Sequence, residues 1–261
     1  MKACILCQTI GGLSKEHYIP SWMTRATGRE DEPLKLVSQS GDVVGKDEPR
    51  GTAMTAHTRI LCASCNGKLG STLESEAERL LKDIVAVRPP KGIGKYLSGL
   101  TLIERQTLTW WAILHAIEFD LASYDSSPRI TPSTSSKLLV SIGQLANNGP
   151  MLPPPDCAHF MVGKARRSGW SFNISRRIFD AAMIGPGNRP TSGEFEGSFL
   201  FGFQANEILG LLALIPAGAK LFKAQGWGHS IFPQVPGPQP LPLYSDLFGM
   251  WNDSFIDSRL D

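Results

Sequence analysis

Two Cys-x-x-Cys pairs, Cys4/Cys7 and Cys62/Cys65, constrain this 261-residue chain more than any other feature. Each pair sets two sulfurs on one tight knuckle, and two knuckles supply the four soft ligands of a closed tetrahedral zinc site. Segment 8–61 lies between them, and closing a loop of that length costs only slightly more than closing a short one. A chain stapled in this way must fold its first residues back onto residues 62–65. The cysteines alone leave open whether such a site does more than hold a fold. Cys157, the fifth cysteine, follows a proline-rich run and reads as a buried or idle thiol.

The opening residues, MKACILCQTIGG, contain far too short an apolar stretch for a secretory leader, and no window reaches about 18 apolar residues. These features lead us to expect a cytoplasmic protein with no membrane partner, a compartment in which paired knuckles bind metal rather than oxidise. Apolar residues make up 42% and charged residues 19% of the chain, as in soluble globular proteins, and the formal charge is only +2. No whole-molecule field announces a polyanionic partner, so any affinity for nucleic acid must come from local patches.

The organisation reads as α+β. Residues 1–87 form the zinc-stabilised unit, and 93–261 hold a helical segment, about 100–148, followed by a mostly β region of unknown role. Pro20 should end regular structure. Segment 23–56, polar and punctuated by Gly and Pro, reads as an insertion with a hairpin near Lys35–Val37 and Val43–Val44. Thr58–Leu61 is β-compatible. The spacing of Leu69, Leu73, Ala77, Leu80, Leu81 and Ile84 predicts a helix from Ser64 to Val85, softened by Gly67 and Gly70. Ser71-Thr72-Leu73-Glu74 fits a capping box that would start that helix later.

Thr101–Glu104 is a second capping box, opening a helix through Trp110, Trp111, Leu114, Ile117 and Leu121. His115 and Glu118 on it are read as core packing. Another helix is expected over Ser133–Ala146, and strands over Ala158–Val162, Trp170–Ile174, Ala181–Ile184, Ser198–Phe203 and Ile208–Ile215. The tail is proline-rich, with one turn of helix near Leu247–Trp251.

The text around the cysteines narrows the chemistry. Leu13-Ser14-Lys15-Glu16-His17-Tyr18-Ile19-Pro20, then His57-Thr58-Arg59-Ile60-Leu61-Cys62-Ala63-Ser64-Cys65-Asn66 leading into a helix, resembles the zinc-bearing HNH (ββα-metal) endonucleases. Members of that family read Cys-x-x-Cys, Asp/Glu-His-Ile-x-Pro, an Asn, then Leu-Cys-x-x-Cys followed by His or Asn. The resemblance covers about the first third of the chain. It implies a β-hairpin and a following helix clasping one catalytic cation, Mg²⁺ or Mn²⁺, with a structural Zn²⁺ on Cys4, Cys7, Cys62 and Cys65.

Carried over by position, Glu16 and Asn66 match the ligands of the catalytic cation, and His17 matches the general base. His57 occupies the slot of the middle Asn that orients the base, a departure from the family pattern. Alternatively, His57 is a second metal ligand, or Asn66 takes the middle role with Glu74 as the ligand. The implied reaction is phosphodiester hydrolysis in nucleic acid, with DNA as the first substrate. The family also suggests a phage or defence context. Each role is chemically sound by itself, since a hard cation prefers oxygen ligands and a neutral imidazole can take a proton from water. Adjacent residues on an extended strand face opposite ways, so Glu16 and His17 need local irregularity to act together.

Two rivals stand beside this reading. One is a catalytically silent zinc module that binds DNA or a protein partner; the other is an RNA-directed nuclease or toxin. For contact with nucleic acid the candidates are Arg59, Lys68, Lys164, Arg166 and Arg167, with Trp170 and Phe172 interleaved to stack a base.

Overall fold

The computed structural model describes residues 3–31, 52, 57–86, 92–123, 132–147, 153–155, 158–177, 198–214, 224–232 and 238–242. The expected hairpin at 35–44, the strand at 181–184, the helical turn at 247–251 and Cys157 fall outside them. The chain is α+β, with a cysteine-clustered N-terminal part and a sheet formed by its C-terminal part. No helix among the described residues is long and apolar enough to cross a membrane.

The N-terminal part is stitched by backbone bonds between the two stretches that the cysteines mark. Ile5 donates to Ile60 O and Ser14 to Leu61 O, both at 2.9 Å, and Leu13 bridges Cys62. A short antiparallel pair follows, β1 (Glu16–His17) with β2 (His57–Thr58), in the register Glu16↔Thr58 and His17↔His57. Strand β1 already ends at His17, and Pro20 instead caps a helix, α1 (Ser21–Thr27), that the sequence reading missed. Trp22, Met23, Thr24 and Thr27 are its buried residues, and left-handed Gly28 (φ 68°) terminates it, donating to Arg25 O and Thr24 O.

The helix expected over 64–85 forms from 63 to 85, in three parts. Helix α2 (Ala63–Leu69) leads into a π-helical turn (Gly70–Glu74), which continues as α3 (Ser75–Val85). Cys62 caps α2, its Sγ accepting from the amide of Cys65. The capping box at Ser71–Glu74 does not form, because the helix is already running there. The Ser71 and Thr72 hydroxyls back-bond to Lys68 O, and Glu74 turns inward. Apolar residues of α3 recur at helical spacing, and Ala77, Leu80, Leu81, Ile84 and Val85 are buried.

A short helix, α4 (Ile93–Ser98), was not anticipated from the sequence. The buried guanidinium of Arg105 satisfies the carbonyls of Leu97, Ser98 and Leu100 at its end. Helix α5 (Leu102–Ser123) opens on the expected box. The Thr101 amide and hydroxyl donate to Glu104 Oε2, and the Glu104 amide donates back to Thr101 Oγ1. Helix α6 (Pro132–Ala146) begins at Pro132, where a proline lacks no needed N–H.

Two pairs of short strands expected from the sequence are two long ones. Strand β3 (Ala158–Arg177) is irregular between Lys164 and Gly169, and β4 (Ser198–Leu214) runs through Asn206 at φ 54°. The Asn206 amide donates to Val85 O at the end of α3. Strands β5 (Ala224–Phe232) and β6 (Pro238–Pro242) were not anticipated. The sheet order β4-β3-β5-β6 puts proline-rich β6 on an edge, where a missing N–H breaks no ladder on the open side. One hydrophobic core runs from Cys4 and Met23 through Trp110 and Trp111 to Phe160 and Leu214. Trp170 and Phe172 join its margin, with Phe172 stacked on Phe119 and on Phe203 at 6.2 Å each. Both rings are half-buried there.

Candidate metal centre and adjoining cavity

The sulfurs of Cys4, Cys7, Cys62 and Cys65 lie within 4.8 Å of one another. Cys7 Sγ and Cys62 Sγ stand 3.6 Å apart, close to the edge of a tetrahedron with metal–sulfur bonds of about 2.3 Å. The first knuckle is shaped by bonds from the Cys4 amide to Thr9 O and from the Gln8 amide to Cys4 O, with Gln8 at φ 60°. Cys4, Cys62 and Cys65 are buried, whereas Cys7 is exposed.

Two of the thiols are pushed in opposite directions. The hydroxyl and backbone of Thr9 lower Cys7 to about 6, while burial and the neighbouring sulfurs raise Cys65. A divalent cation among four sulfurs offsets that cost, because it favours the thiolate at every ligand. The donor set therefore fits the zinc expected there. Among the described residues these cysteines are the one group of three or more His, Cys, Asp or Glu side chains with ligand atoms near enough to share a metal ion.

Beside this cluster lies a cavity of about 210 Å³ whose lining includes Glu16, His17, Arg25, Asn66, Glu74, His115 and Glu118. Glu16 and His17, neighbours in the chain, both reach it. The Asn66 amide donates to Ser14 Oγ at 3.2 Å, and that hydroxyl lies 3.5 Å from Glu16 Oε2. Burial raises Glu16 to about 7, the Glu118 carboxylate adds to the rise, and His115 and Asn66 oppose it. His57 does not line the cavity. It is exposed, and its ring lies against that of His17 with centroids 4.3 Å apart.

The inner wall is a polar cluster around Glu74 that includes His115 and Glu118, which the sequence reading took for ordinary core. Glu74 Oε1 is 2.6 Å from His115 Nε2, and Glu74 Oε2 accepts from the indoles of Trp22 (3.0 Å) and Trp111 (3.1 Å). His115 Nδ1 lies 3.0 Å from Glu118 Oε2, but neither atom is aligned for a hydrogen bond. Burial pulls the imidazole down, yet the charges of Glu74 and then Glu118 outweigh it and hold His115 at about 10. Burial likewise raises Glu74, but His115 more than compensates, leaving it below the usual carboxylate range. For Glu118 burial wins, and its carboxyl is pushed up. A His and a Glu inside an apolar helix were a usable signal, since such residues are seldom buried without partners.

The remaining residues proposed to touch nucleic acid are dispersed. Arg59 is exposed and lies outside the cavity. Lys68 binds Asn147 Oδ1 at 3.4 Å, near the thiolate cluster. Lys164, Arg166 and Arg167 lie on β3, and their side chains are outside the description. No family model, curated protein or solved structure matches the chain.

Proposed function

We propose that residues 1–87 are a zinc-stapled hydrolytic unit of the HNH (ββα-metal) type, acting on phosphodiesters of nucleic acid, with DNA as the first substrate. The observation that carries this reading is that Glu16, His17 and Asn66, drawn from two distant stretches of chain, line one cavity beside the thiolate cluster. Glu16 and Asn66 offer a carboxylate and an amide oxygen, the hard donors that a Mg²⁺-like cation takes while keeping several waters. When bound, such a cation supplies charge neutralisation at the phosphate.

His17 takes the proton from the attacking water, which its neutral imidazole can do near physiological pH. His57, packed against the His17 ring, orients that base in place of the family's amide. Arg25, exposed at the cavity rim, offers a positive charge to the substrate phosphate. The sheet and helices beyond residue 93 position the substrate or mediate assembly.

The thiolate cluster supports a second reading at least as directly, namely a zinc module that binds DNA or a protein partner without cleaving. It favours that reading because four sulfurs form a complete metal site that needs neither Glu16 nor His17, and because His57 replaces an expected Asn. Incubating plasmid DNA and structured RNA with Mg²⁺, Mn²⁺ or chelator, with wild type and His17→Ala side by side, decides between them. Cation-dependent cleavage lost in His17→Ala at unchanged zinc content supports the hydrolase. Retained zinc with no cleavage of either nucleic acid supports the silent module, and cleavage of RNA alone makes the unit RNA-directed.

A further inference from the structure

We propose that Glu118, reaching in from α5, faces Glu16 across the cavity and that the two carboxylates together hold a divalent cation there. This rests on the cation proposed above at Glu16 and adds a ligand from outside the zinc-stapled unit.

Charge balance around the cavity leads to it. Glu74 and His115 neutralise each other at 2.6 Å, and both indoles beside them are spent on Glu74. Arg25 and Glu78, which also line the cavity, carry opposite charges; Glu16 and Glu118 remain, two carboxylates against one cavity, each without a full charge partner. Glu118 is 1% exposed, and its Oε2 has no hydrogen-bond partner, which is a costly state for a buried acid. His115 is near enough to share charge with it but is already engaged by Glu74 on its other nitrogen. The electrostatic link between the acids is visible at Glu16, where Glu118 is the largest influence after burial.

Bound between Glu16 and Glu118, a divalent cation would favour the ionised form of both carboxyls, which burial otherwise raises. Both carboxylates line the cavity, and two oxygen ligands suit a hydrated ion of the Mg²⁺ or Mn²⁺ kind, which retains waters between itself and part of its protein shell. Zinc, satisfied by four sulfurs nearby, has no need of this site.

The test is Mn²⁺ binding to the zinc-loaded full chain, read by the loss of free Mn²⁺ signal in electron paramagnetic resonance, for wild type, Glu16→Gln and Glu118→Gln. We expect each variant to bind Mn²⁺ at least tenfold more weakly while zinc content is unchanged. If Glu118→Gln does not fold, Glu118→Asp, which retracts the carboxylate by one methylene, is held to the same threshold. Tb³⁺ provides a measurement on wild type alone: Trp22 and Trp111 flank the cavity wall, so emission sensitised by tryptophan should appear and be chased by Mg²⁺. Wild-type affinity in the Glu118 variant, or no Mn²⁺ binding and no sensitised Tb³⁺ emission in wild type, overturns the site. Cleavage that persists alongside wild-type Mn²⁺ affinity in Glu118→Gln would remove this site and leave the hydrolase standing. Glu118-dependent Mn²⁺ binding without any cleavage would do the reverse.

Discussion

Replacing Glu74 with alanine should be among the most damaging single changes away from the cysteines, and the size of the effect follows from the three groups its carboxylate holds. The substitution leaves the His115 imidazolium, 4% exposed, without its main partner, and strips the acceptor from two indole N–H groups. Breaking a buried ion pair by removing one member costs about 3–5 kcal/mol. The Glu74 side chain is 27% exposed, so water entering from the cavity offsets part of this, and the lower end applies. Adding roughly 1 kcal/mol for the orphaned indoles gives about 4 kcal/mol, or a fall in Tm on the order of 10 °C at this chain length.

The pH dependence carries the sign of the mechanism. His115 is held above its ordinary value near 6.5, so its stabilising contribution is full below about pH 6.5 and is lost as pH rises toward about 10. Glu74 is held below its ordinary range, so its contribution is present above about pH 4.5 and is lost as pH falls through its folded value. The difference in Tm between wild type and Glu74→Ala should therefore be widest near pH 5–6 and shrink on both sides. Circular dichroism melts across that range, with zinc retained and no other divalent cation added, would show it. A Glu74→Ala protein within about 2 °C of wild type at pH 6, or a difference that grows toward pH 9, would refute the pairing.

Three further outcomes follow from the same geometry. Cys62→Ser should lose zinc and unfold the N-terminal part, since structural zinc binding is itself folding free energy; zinc analysis and limited proteolysis of residues 1–87 check this. His17→Ala should keep its zinc and its melt while cleavage falls about 10²–10⁴-fold, the range for a lost general base. Gly210→Ala should cost about 1–3 kcal/mol through overpacking, because a Cβ there would sit 2.2 Å from the buried Phe203 ring; a urea melt gives the value.

What the sequence made legible was local and strongly patterned. The Thr101–Glu104 box works because both partners lie within one turn, and the knuckles meet because four cysteines have few other uses in one chain. Helix α1 was missed because Pro20 was read only as a terminator, although a proline can equally stand at a helix start. Strands β3 and β4 looked like two pieces each because the irregularity at Lys164–Gly169 and the left-handed Asn206 interrupt the alternation that marks a strand. The wall of the cavity was the hardest part. Glu74 and His115 are 41 residues apart, and nothing local in either segment names the other.

The π-helical turn at Gly70–Glu74 has a consequence for how the cavity is assembled. At about 100° per residue, eight positions of regular α-helix would set Glu74 roughly 80° around the axis from Asn66. A turn closed by i→i+5 bonds holds more residues per revolution and takes up much of that lag, so both side chains present to one hollow. The first half of the helix is thus indexed to the sulfurs and the second half to the tryptophans. The widened turn is the gear between them, so the geometry of the hollow depends on helical phase as much as on which residues line it.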